Sequence, residues 1–65
     1  MNAKLADDML IGAEAIGEEI GEDPRRVFIL LAKKALPGFK IRGKWYARRS
    51  TLRAHFERLE RGEVA

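Results

Sequence analysis

Hydrophobic positions recur at helical spacing in three stretches of this chain and alternate with polar ones in a fourth. Ala13, Ile16 and Ile20 share one face of a helix expected over about Ala13 to Ile20, while Glu14, Glu18 and Glu19 face elsewhere. Gly12 fits the N-cap position, Ile11 is placed to pack on Ile16 as a hydrophobic staple, and Gly21 stops the helix. A second helix begins almost at once, with Asp23 as N-cap and Pro24 at the first helical position, and runs to about Ala35, before Pro37. Val27, Phe28, Leu30, Leu31 and Ala35 form the broad arc expected to face the core; Arg25, Arg26, Ile29 and Lys33 fall on the opposite side. A third helix is expected over about Thr51 to Arg61, capped by Ser50, buried along Leu52, Phe56 and Leu59, and stopped by Gly62.

Between the second and third helices, Pro37 to Arg49 reads as a β-hairpin. Phe39 and Ile41 alternate with Lys40 and Arg42, Gly43 supplies the turn, and Trp45, Tyr46 and Ala47 form the return strand. Neighbouring strand residues point to opposite faces, so one of Trp45 and Tyr46 is expected in the core and the other partly exposed, with the register open. A nucleobase-stacking role for the pair is the weaker alternative. Residues 1–9 read as frayed or weakly helical. The fold class is mainly α with a small β-hairpin, one domain over residues 1–65. The order helix, short turn, helix, hairpin, helix is that of a winged helix-turn-helix.

Composition narrows the chemistry. The chain has 65 residues, no cysteine and a single histidine, which removes disulfides, zinc fingers and thiol catalysis. No apolar run approaches the roughly 20 residues that span a bilayer, so no membrane partner is expected and the cytoplasm is the default location. His55, Glu57 and Glu60 have the spacing of a solvated helix face, and no nucleophile or glycine-rich phosphate loop accompanies them. The chain is therefore expected to be no enzyme and to hold no metal or cofactor.

Charge adds the functional signal. Residues 1–23 carry one lysine against seven carboxylates, a net −6, whereas residues 24–65 carry twelve basic residues against three carboxylates, a net +9. The hairpin alone carries Lys40, Arg42, Lys44, Arg48 and Arg49 with no carboxylate, which suits a polyanion. The expected partner is double-stranded DNA. The second helix offers Arg25, Arg26, Ile29 and Lys33 to the major groove, where arginine can bond guanine and isoleucine can touch a thymine methyl. The hairpin offers Arg42 and Lys44 at its tip to phosphates or the minor groove. The bland alternatives are a solvated charged surface and lysines that protect a sheet edge from aggregation.

Ala13-Glu14-Ala15-Ile16, Ile20-Gly21-Glu22-Asp23, Arg26-Val27 and the long run Leu36-Pro37-Gly38-Phe39-Lys40-Ile41-Arg42-Gly43-Lys44-Trp45-Tyr46-Ala47-Arg48-Arg49-Ser50-Thr51-Leu52 together resemble the excisionase-type winged helix-turn-helix, which is related to the DNA-binding half of MerR-type regulators. The resemblance covers about residues 10–60. It departs from the family at the turn Ile20 to Asp23, at Ala35 before Leu-Pro, and at Phe28 and Ile29. It implies groove contacts from Arg25, Arg26, Ile29 and Lys33 and wing contacts from Arg42 and Lys44. It also implies a bacterial or phage-encoded factor in transcription regulation or site-specific recombination, with a second copy or partner protein on the DNA. A phage-packaging role of the small-terminase kind is a subclass. The rival from another class is a protein-interaction module built on Phe28 or Ile29.

Overall fold

A computed structural model describes residues 4–63. Within them the order is α1 (Leu5–Asp8), β1 (Met9–Ile11), α2 (Ala13–Ile20), α3 (Pro24–Ala32), β2 (Phe39–Ile41), β3 (Lys44–Arg48) and α4 (Arg49–Glu60). About half the chain is helical, and the strands form one antiparallel sheet in the order β1-β3-β2.

The helix pair forms where its local signals put it. Gly21 ends α2 in the left-handed region, at φ 77°, and its N–H bonds back to the Gly17 carbonyl. The Asp23 carboxylate accepts from the Arg25 N–H at 2.8 Å, and Pro24 starts α3 with the donor it lacks already unneeded. Gly17, on the buried face of α2, lets the turn fold close: a Cβ there would collide with the Glu22 carbonyl oxygen. The second helix stops earlier than the expected Ala35. Lys34 turns left-handed at φ 62°, and the N–H groups of Ala35 and Leu36 both bond to the Leu30 carbonyl, closing the helix before Leu36 enters the core.

The expected hairpin is present, and its turn is tighter than glycine alone explains. Arg42 and Gly43 both have positive φ, 51° and 80°, the two-residue geometry that matches strand twist. The hairpin is not a two-stranded unit, however. Met9–Ile11 pairs with the other edge of β3, with Leu10 opposite Ala47 and Ile11 opposite Tyr46. The segment expected to fray or be weakly helical thus supplies a turn of helix and the first residue of a strand; of residues 1–9, the first three lie outside the described region. Ile11 consequently sits in the sheet with half its surface exposed rather than stapled onto Ile16.

The molecule has two layers and measures 32 × 31 × 19 Å. One face of the sheet carries Leu10, Ala47 and Trp45 against the helices, and the core joins Leu10 and Ala47 to Ile16, Val27, Leu31, Leu36 and Leu52. The register settles the aromatic pair: Trp45 lies on the inner face with Ala47, and Tyr46 on the outer face.

Further positions differ from the periodicity, among them Ala35, expected in the core arc and exposed beyond the end of α3. Phe28, expected in the core, is 51% exposed and meets Trp45 edge-on at 6.5 Å between ring centroids. Phe56 is 40% exposed and Leu59 is also exposed, because α4 turns His55, three residues after Leu52, toward the core instead. Ser50 does not cap α4; the cap position is Arg48, and Ser50 lies in the first turn.

Candidate nucleic-acid interface

The basic residues fall into three groups. On α3, Arg25, Arg26 and Ile29, and at its C-cap Lys33, are all exposed, as the helical projection requires. No ion pair holds any of the three cations among the described residues. Two carboxylates, Glu22 and Asp23, stand immediately before this helix, and Asp23 already accepts from the Arg25 backbone. They weaken the pull of the helix N-terminus on a phosphate, so binding here would rest on the side-chain cations.

The second group is the hairpin tip. Arg42 and Lys44 are exposed on either side of Gly43 and carry no carboxylate partner among the described residues. Lys40, on the inner face of β2, lies over the Trp45 ring at 5.2 Å from its centroid. The Trp45 ring meets Phe28 in turn, so a run of Lys40, Trp45 and Phe28 joins the hairpin to α3. This run packs the inner face of the hairpin against α3. The exposure of Phe28 was not legible from spacing, since the same helical arc also holds Val27 and Leu31, which take the core positions.

The third group is separated from the other two. Arg48 and Arg49 lie at the far end of β3, and both are engaged. The Arg48 Nε donates to the Asp8 carboxylate at 3.1 Å. The Arg49 Nε donates to Glu19 at 3.0 Å, and another of its nitrogens donates to the Asp7 carbonyl at 2.6 Å. These arginines hold the N-terminal segment and α2 against the start of α4, a role that the hairpin sequence does not signal.

Asp8 is the hub of that end. Its carboxylate accepts from the Ser50 N–H at 2.9 Å, from the Ser50 hydroxyl at 2.5 Å and from Arg48. It therefore does for α4 what an N-cap does, from a position 42 residues earlier in the chain. The Ser50 hydroxyl bond is the main cause that holds its pKa below the ordinary aspartate value; partial desolvation opposes it, and the Ser50 N–H and Arg48 add to the lowering. Nothing in the spacing of Asp8 signals this role.

Among the described residues no cluster of histidine and carboxylate side chains could hold a metal ion, and no helix is long and apolar enough to cross a membrane. His55 is buried beside the Phe56 ring, at 5.4 Å between centroids, and not on a solvated face with Glu57 and Glu60. Compared with known proteins, the chain matches no family model, no curated protein and no solved structure.

Proposed function

We propose that this protein is a winged helix-turn-helix DNA-binding protein, with α3 as the helix that enters the major groove and the β2–β3 hairpin as the wing. The single observation that carries the reading is the pairing of two unneutralised basic groups, Arg25, Arg26 and Lys33 on α3 and Arg42 and Lys44 at the hairpin tip, on elements joined through Phe28 and Trp45. The three-residue turn from Gly21 to Asp23 has helix-turn-helix spacing. Phosphate contacts from the hairpin would fix the register, and the arginines of α3 with Ile29 would read base edges. A domain of this size buries little DNA surface, so useful specificity calls for a second copy, a repeated site or a partner protein. The role is regulation of transcription or architecture in site-specific recombination, in the excisionase manner.

A titration against random-sequence duplex at two salt concentrations tests the reading. Affinity is expected to fall steeply with salt, and Arg42→Ala and Lys44→Ala should each reduce the salt slope by about one unit while weakening all sequences alike. Arg25→Ala or Arg26→Ala should also alter sequence preference, by about 1–3 kcal/mol for each bidentate arginine–base pair that the substitution removes. If all four folded variants bind selected and random duplexes as the parent does, the reading fails. The second reading, a protein-interaction module, then takes over; it draws on the exposure of Phe28 and Ile29, two large apolar side chains on α3.

A further inference from the structure

The sheet has a second face that the helices do not cover. Strand alternation puts Met9 and Ile11 of β1, Lys44, Tyr46 and Arg48 of β3, and Phe39 and Ile41 of β2 on it, opposite the face that carries Leu10, Ala47 and Trp45. Ile11, Tyr46 and Phe39 are direct cross-strand neighbours, so they form one row across all three strands. Ile11 is 50% exposed, Phe39 43% and Ile41 49%. A contiguous apolar row on a small domain is the signature of an interaction surface, not of scattered surface hydrophobics.

We propose that this outer face is a docking site for an acidic amphipathic helix of a partner protein. The row spans two interstrand gaps, about 10 Å, the length of about two turns of an α-helix laid along it. Lys44 and Arg48 stand on β3 two residues to either side of Tyr46, about 13 Å apart, so they flank the row on both sides. A helix lying along the row would set its apolar stripe on Ile11, Tyr46 and Phe39, and carboxylates on its two flanks would meet Lys44 and Arg48. None of the seven outward strand positions is acidic. Asp8 takes only the Nε of Arg48, leaving the terminal nitrogens of that guanidinium free of partners among the described residues.

Charge and ring geometry choose among the occupants. A second copy packed face to face would set Lys44 and Arg48 against their own equivalents, a like-charge clash. A single-stranded nucleic acid needs free aromatic faces, but Phe39 and Tyr46 lie parallel to each other, 7° apart in plane at 5.8 Å between centroids. The two isoleucines favour an aliphatic stripe over a base. The site lies on the sheet face away from α3 and shares only Lys44 with the proposed wing, so the proposal stands whether or not α3 binds DNA.

The test uses the full chain, labelled with ¹⁵N, and two synthetic helical peptides of about 14 residues, some 21 Å long. One carries a leucine stripe flanked by glutamates on both sides; the other has every glutamate replaced by lysine. The glutamate peptide is expected to shift the amide resonances of Ile11, Phe39, Ile41 and Tyr46 saturably. The lysine peptide should bind about tenfold more weakly or worse. Phe39→Ser and, as a second folded variant, Ile41→Ser should abolish the shifts and leave binding to duplex DNA intact. The proposal is overturned by absent or non-saturating shifts, by shifts at Phe28 and Ile29 instead, or by equal binding of the two peptides. Displacement of the glutamate peptide by a thymidine oligonucleotide, or a dimer in sedimentation that Phe39→Ser dissociates, would overturn it in favour of the other occupants.

Discussion

The two ends of β3 carry the same kind of residue to different ends. At the hairpin tip, Lys44 and its turn neighbour Arg42 are exposed and have no carboxylate partner among the described residues. At the base, Arg48 and Arg49 are held by Asp8 and Glu19, both from the acidic first part of the chain. A run of positive charge is therefore not one surface. The acidic segment folds back on the basic one and takes up part of the charge at its base, whereas the tip and α3 keep theirs without a carboxylate partner among the described residues. The lesson is that the bipolar sequence encodes an internal attachment, which the count of charges alone does not reveal.

The largest expected effect tests what the base is attached to. Leu52, buried in the first turns of α4, packs into the core that Ala47 enters from the end of β3. Leu52→Ala should cost about 2–5 kcal/mol, enough to unfold much of the population of so small a domain. Phe56→Ala, one turn on and 40% exposed, should cost distinctly less, and thermal melts of the two variants separate them. Equal losses would mean that the core extends past His55.

A smaller effect sharpens the contrast in charge. Asp8→Ala should lower the melting midpoint at neutral pH, because it removes the acceptor for Ser50 and Arg48 together. Since folding depresses the Asp8 pKa, its stabilisation is present above the pKa of the unfolded chain, about 4, and is lost as pH falls through the lower folded value. The gap between parent and variant melts should therefore close in acid; a gap that persists there would mean that packing, not charge, holds this end. At the tip, Arg42→Ala and Lys44→Ala should leave stability within about 0.5 kcal/mol, the usual range for exposed positions, at every pH measured.

The smallest effect concerns the turn after α3. Lys34 is a side-chain-bearing residue in left-handed backbone, so Lys34→Gly should stabilise by up to about 1 kcal/mol in a denaturant titration. A loss instead would show that the lysine stem makes a packing contribution worth more than the relieved backbone.

Much of the helix pair and hairpin was legible because each is specified by neighbours in sequence. Gly21 stops one helix, Asp23 and Pro24 start the next, and Gly43 marks a tight turn between alternating residues. The strand Met9–Ile11 was not legible, because three apolar residues have no detectable period and become a strand only against the free edge of β3. The burial of α4 was half legible: Leu52 is in the core, but the small sheet ends its coverage near His55, and every described residue from Phe56 onward is exposed. For the candidate interface, the exposed residues of α3 and the tip follow from periodicity and turn position. The fates of Arg48 and Arg49 do not, since their partners lie 30 to 42 residues away and a carboxylate at that distance leaves no local signature.

The attachment of Asp8 to Ser50 also has a consequence in time. The α2–α3 pair and the β2–β3 hairpin close over a few residues each, on the microsecond scale of local elements. The clasp between Asp8 and the head of α4 must span 42 residues, and α4 follows both local pairs in the chain. A chain of this design is expected to assemble the helix pair and the hairpin first and to fasten Asp8 to α4 afterwards. Asp8→Ala should then accelerate unfolding and leave the folding rate nearly unchanged, a φ-value near zero in stopped-flow chevrons. A value near one would place the clasp in the folding nucleus. If the clasp is late, brief openings at this junction free Arg48 and detach the N-terminal strand while the helix pair stays folded, and among the hydrogen-bonded sheet amides those of β1 should exchange with solvent before those of the β2–β3 hairpin.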